Sequence, residues 1–147
     1  MLFVGVGGST ALAALAAFRF SALGVRTSAP IDVLSQHLRA ATLSADDVCV
    51  AISHTGESKD TIEIATTAAQ AGATTVAITS FAGSPLTEAA DIALVCGDEI
   101  DTTAQELFAN PVALVSVLGA LHADVAAHLP RPAAPGTAAR LIATHQY

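Results

Sequence analysis

Short apolar runs punctuate the chain at residues 2–6, 25–29, 48–52, 76–79 and 91–95, and each reads as a strand. Between them lie stretches with helical spacing. An alanine-rich segment at 11–23 stops at Gly24, a segment at 30–41 opens on Pro30, and a third at 59–71 ends at Gly72. Pro85 suits the first turn of a short helix over 85–89. A long apolar helix is expected over about 102–129, with a break near Asn110-Pro111. The alternation of strand and helix, without a credible hairpin, predicts an α/β chain with a three-layer, doubly wound, five-stranded parallel sheet joined by right-handed crossovers. Past residue 129 the run Pro130-Arg131-Pro132-Ala133-Ala134-Pro135-Gly136 suits neither regular element. The expected division is therefore a domain over 1–129 and a Pro/Ala-rich extension over 130–147.

Composition sharpens this picture. Of 147 residues 52% are hydrophobic and only 13% charged, yet no uninterrupted apolar run reaches the roughly 18 to 20 residues of a membrane span. Continuous apolar strands are what a parallel sheet covered on both faces requires, and a subunit interface can take up the remaining apolar surface. The net charge of −7, with six basic residues in no run or stripe, argues against nucleic-acid binding by this chain alone. The two cysteines, Cys49 and Cys96, fall in apolar runs and read as buried free thiols. Residues 1–5 enter a strand and turn directly with no basic leader, which predicts a cytoplasmic protein.

The turns hold the candidate chemistry. Gly5-Val6-Gly7-Gly8-Ser9-Thr10 supplies two glycines of a dinucleotide fingerprint but has Thr10 in place of the third, and no suitable acid closes the second strand. A Gly-Lys-Ser/Thr phosphate loop and the glycine frame of a hydrolase elbow are both missing, so no cofactor is expected. What remains is hydroxyl-bearing turns after strands: Gly7-Gly8-Ser9, then Ser53-His54-Thr55-Gly56-Glu57-Ser58, then Thr79-Ser80 with Ser84. Ligands of open α/β sheets gather at such strand ends, and helix-start amides with neutral hydroxyls suit an anion without a basic patch. Taken singly, these residues read as helix caps and turn formers. The density of the cluster after the third strand favours the anion cradle. No metal site is expected, because no His, Cys or Asp set has ligand-like spacing.

Three segments carry a family resemblance: residues 3–9, residues 52–60 with their Ser-x-Thr-Gly-x-Ser pattern, and Ile78-Thr79-Ser80 followed by Ser84-Pro85-Leu86 and Ala90-Asp91. Along residues 2–129 the chain resembles a SIS (sugar isomerase) domain, a Rossmann-like, flavodoxin-like fold. More narrowly it is similar to the C-terminal sensor domain of RpiR-type transcription regulators. The resemblance implies a phosphorylated sugar as ligand, its phosphate held by Ser53, Thr55 and Ser58 with Ser9 contributing. Gly7, Gly8, His54 and Gly56 complete the primary set; Thr79, Ser80, Ser84 and Lys59 form a second ring of contacts. It also implies homodimers or higher homo-oligomers in which neighbouring subunits complete each site. RpiR-type regulators carry an N-terminal helix-turn-helix, for which there is no room before the first strand here. The expectation is a fragment of such a regulator or a free-standing sensor.

An aldose–ketose isomerase is the alternative reading, and an oligomerisation module without ligand a further one. Isomerisation needs a base to move a proton between adjacent carbons, and Glu57, Glu99, Glu106, His37 and His54 are the candidates. Glu57 suits the start of a helix dipole, Glu99 and Glu106 the start of the last helix, and His37 either a reach to a ligand across a dimer interface or a surface helix position. None forms a convincing acid–base pair. Sensing is the preferred reading.

Overall fold

The computed structural model describes residues 1–97, 106–129 and 137–144. Four parallel strands, β1 (Leu2–Val4), β2 (Val48–Ile52), β3 (Thr74–Thr79) and β4 (Ile92–Val95), lie side by side in sequence order. Among the described residues six helices accompany them: α1 (Gly8–Ala22), α2 (Val33–Ala40), α3 (Lys59–Gln70), α4 (Pro85–Ala89), α5 (Glu106–His128) and α6 (Thr137–Thr144).

Side chains alternate across the sheet with the two-residue period of a strand, which gives two cores. On one face Leu2, Val4, Cys49, Ala51 and Ala77 meet Ala40 of α2, Ile64, Ala65 and Ala68 of α3, and Leu86 of α4. On the other, Phe3, Val50, Ile52, Val76 and Ile78 meet Ala13, Ala16, Ala17 and Phe20 of α1, and Leu114 and Leu118 of α5. Alanine dominates the helix faces, so these helices can approach the sheet closely. The result is the expected three-layer α/β arrangement, with helices on both faces of the parallel sheet.

The second predicted strand, 25–29, is reduced to one parallel bridge between Leu2 and Ser28 at the free edge of β1, so the sheet has four strands and not five among the described residues. Its pairing consists of Phe3 N–H donating to Ser28 O at 2.8 Å and Ser28 N–H donating to Met1 O at 3.1 Å. Pro30 follows at once, and a residue without an amide cannot extend the ladder. β1 is also shorter than expected, ending at Val4, because the backbone of Gly5 turns away to bond the side chain of Gln36.

Asn110-Pro111 does not end a helix: α5 is one 23-residue element from Glu106 to His128. Pro111 falls in its second turn, where a single missing amide bond near the helix start is tolerated by the turns that follow. The expected beginning of that helix at 102 lies outside the described residues. Within the stretch read as an extension, α6 forms and contacts α1.

Candidate functional site

The carboxyl ends of β1, β2 and β3 deliver three turns to one edge of the sheet. Register places Val4 beside Ala51, and Ile52 beside Ile78, so the turns leave from neighbouring strands at nearly the same height. At Gly5 the first two turns nearly touch. A Cβ there would stand 2.9 Å from Ile52 O and 2.8 Å from Ser9 Cβ, so only glycine lets α1 start this close to the end of β2.

The β2–α3 turn is built around Ser53. Its amide donates to Ile78 O at 3.1 Å, continuing the β2–β3 ladder by one residue. Its hydroxyl, in a residue only 1% exposed, accepts from Gly56 N–H at 3.1 Å and donates to Ser58 Oγ at 3.1 Å. Gly56 adopts φ +69°, the left-handed region that favours glycine, and this reverses the chain into α3. Glu57 N–H donates to Thr55 Oγ1 at 3.2 Å. Ser58 occupies the cap position of α3 but caps none of its amides with its side chain. The first amides of α3 therefore face the turn without a side-chain cap from Ser58, with Thr55 exposed and Ser58 half-buried beside them and Asp60 in the first turn of the helix.

The third turn is locked to the second. Thr79 Oγ1 donates to His54 O at 2.9 Å, Ser80 N–H donates to the same carbonyl at 3.0 Å, and Leu86 N–H donates to Gly56 O at 3.0 Å. His54 Nδ1 lies 2.8 Å from Ser80 Oγ, and its ring meets Phe81 with centroids 5.4 Å apart. Ser84 is buried directly beside Gly56, where a Cβ would collide with its Oγ and stand 2.5 Å from its Cβ.

The fold thus brings Ser53, His54, Thr55, Gly56, Ser58, Thr79, Ser80 and Ser84 into one bonded cluster. Gly7 caps α1 at φ 61° with no side-chain cap bond, and Gly7 and Gly8 are exposed with Ser9 half-buried behind them. Lys59 and Glu57 are exposed at the start of α3. His37 lies instead on α2, beside Asp60 and Glu63. Glu99 lies outside the described residues, and the side chain of Glu106 is likewise not described. His122 packs edge-on against Phe20 and His128 pairs with Asp124 one turn away, so both serve the α1–α5 side of the molecule.

Sequence reasoning passed over Gln36, which is 1% exposed and ties α2 to Gly5 at the first turn through both atoms of its amide. The signal was its spacing. Gln36 and Ala40 are four apart on one face of α2, and a polar side chain on a core-facing stripe needs a polar partner inside. Thr61, in the first turn of α3, was also passed over; its fully buried Oγ1 has no hydrogen-bond partner among the described residues. Burial pushes the Cys49 thiol up to about 12, as befits an inert core thiol, and burial also raises that of Cys96.

The family model of the SIS domain matches residues 1–123. The chain belongs to the SIS family. Among curated relatives, an HTH-type transcriptional regulator of Caldanaerobacter subterraneus is 35% identical over 124 residues, 84% of this chain and 44% of that protein. The HTH-type regulator HexR of Pseudomonas aeruginosa is 36% identical over 92 residues, 63% of this chain and 32% of HexR. The chain therefore spans less than half the length of these relatives. Of solved structures, the Vibrio vulnificus NanR protein complexed with ManNAc-6P superposes with a TM-score of 0.84 at 22% identity, covering 97% of this chain and 53% of NanR. The sugar isomerase domain of an RpiR transcription factor from Sphaerobacter thermophilus gives 0.76 at 25% identity, over 97% of this chain and 75% of that one. No helix among the described residues is long and apolar enough to cross a membrane.

Proposed function

We propose that this SIS domain senses a phosphorylated sugar, whose phosphate sits on the β2–α3 turn at the start of α3. One observation carries the reading: Ser53 Oγ organises Gly56 N–H and Ser58 Oγ beneath a helix start that has no side-chain cap. Ser53 is buried and shapes the cradle, while Ser58, Thr55 and the first amides of α3 supply donors to the phosphate. Gly7, Gly8 and Ser9 approach from the first turn. Ser80 and His54 brace the turn from behind, with Thr79 and Ser84 filling the space against Gly56. Support comes from NanR, solved with ManNAc-6P, and from the regulators among the relatives.

In this reading the domain is the sugar-responsive part of a cytoplasmic transcription regulator, and residues 1–129 form the functional unit. It acts as a homodimer. Leu15 and Phe18 of α1, and Ile31, Leu34 and Leu38 on and before α2, are large apolar side chains between 42% and 80% exposed, which suits a subunit interface. The test is a thermal-shift screen of sugar phosphates with product analysis of every hit. A subset should raise Tm by ligand linkage and be recovered unchanged, and the S53A/S58A double variant should lose the shift. Conversion of a hit to its isomer would replace sensing by catalysis, and an unaltered shift in the double variant would remove the cradle.

A further inference from the structure

Away from the three turns, side chains of two helices converge on one point. His37 of α2 and Asp60 and Glu63 of α3 each offer a ligand atom within 4.8 Å of the other two. Asp60 and Glu63 are three residues apart and share a helix face, and α2 packs directly against α3. Among the described residues no hydrogen bond or ion pair occupies any of these three side chains. Two like charges at this spacing repel, and a cation between them removes the repulsion.

Geometry and donor type both suit a metal. Tetrahedral bonds of about 2.0–2.2 Å to nitrogen and oxygen hold ligand atoms roughly 3.3–3.6 Å apart. Small rotations of the two exposed carboxylates toward the half-buried His37 close the remaining gap. One imidazole nitrogen with two carboxylate oxygens selects a first-row divalent ion; calcium and magnesium favour oxygen-only sets. We infer that His37, Asp60 and Glu63 form a binding site for a zinc-class divalent cation that clamps α2 to the first turns of α3.

The clamp joins the two elements that position the turns. Gln36, adjacent to His37, holds Gly5 of the first turn, and Asp60 lies two residues beyond Ser58 of the second. Three protein ligands leave the ion an open position for water or an anion.

Calorimetric titration of the untagged, chelator-treated chain with zinc chloride tests this. One saturable equivalent should bind, Tm should rise with zinc and not with magnesium, and cobalt should give visible absorption from a nitrogen–oxygen site. His37→Ala and Glu63→Gln should each weaken zinc binding by about tenfold or more. Glu63 is exposed, so its variant keeps the test valid if His37→Ala proves unstable. Absence of saturable binding, or wild-type affinity in Glu63→Gln, would overturn the site, the latter by sending the ion to other groups. Neither outcome depends on phosphosugar binding.

Discussion

Gln36 satisfies both backbone groups of Gly5. Gly5 N–H donates to its Oε1 at 3.1 Å, and its Nε2 donates back to Gly5 O at 3.1 Å, in a pair that is buried throughout. The pair replaces the next rung of the β1 ladder and ends the strand. Gln36→Leu leaves a buried donor and a buried acceptor less well satisfied, with only Thr10 Oγ1 still donating to Gly5 O. We expect a loss of about 2 kcal/mol or more, measured as a lower urea midpoint at unchanged slope. A variant as stable as the parent would show that water or another side chain takes over both bonds.

That relationship marks how far the sequence could be read. The strands that build the sheet's centre, 48–52 and 76–79, declare themselves as unbroken apolar runs, because both of their faces are buried. The segment 25–29 has similar composition but sits at an edge before Pro30, and edge position is a tertiary property that no local pattern carries. The turn at Ser53–Ser58 was legible because its hydroxyls are contiguous and follow a strand. Gln36, and the convergence of His37 with Asp60 and Glu63, were not, since each depends on α2 packing against an element distant in sequence.

Gly56→Ala tests the turn itself. The left-handed φ of +69° disfavours any Cβ, and the neighbouring Ser84 leaves no room for one. Backbone strain of this kind costs on the order of 1–3 kcal/mol. We expect a lower Tm together with loss of the phosphosugar-dependent shift, because relief of the collision moves the amide that Ser53 holds. A Tm drop with full ligand response would mean that the cradle tolerates displacement of Gly56.

Acid stability should report on Asp91. Its carboxylate accepts from Thr75 N–H at 2.7 Å and from Thr75 Oγ1 at 2.8 Å, and these bonds hold its pKa below the usual 3.8. The folded state prefers the charged form, so the stabilisation is complete above the unfolded pKa and disappears as pH falls through the lower folded one. Asp32 and Asp47 are lowered in the same way by Ser35 and Ser44, so three groups share the acid limb. Asp91→Asn should therefore lower Tm at pH 6, with the difference from the parent shrinking below about pH 4. A difference constant from pH 6 to pH 2.5 would show that the carboxylate's charge contributes nothing.

Thr61 offers the reverse case, a polar atom whose removal should help. Its Oγ1 is fully buried in the first turn of α3 without a partner, while its methyl group faces the same packed interior. Valine keeps the branched shape and replaces the orphaned hydroxyl with a methyl group, so the desolvation penalty vanishes and little packing changes. Thr61→Val is expected to stabilise by about 1 kcal/mol, or roughly 2–4 °C in Tm. A fall in Tm would show that the hydroxyl is bonded in solution. Measuring the phosphosugar shift in the same variant separates two origins for such a bond: a lost shift ties Thr61 to the ligand at the start of α3, and a retained one ties it to the fold.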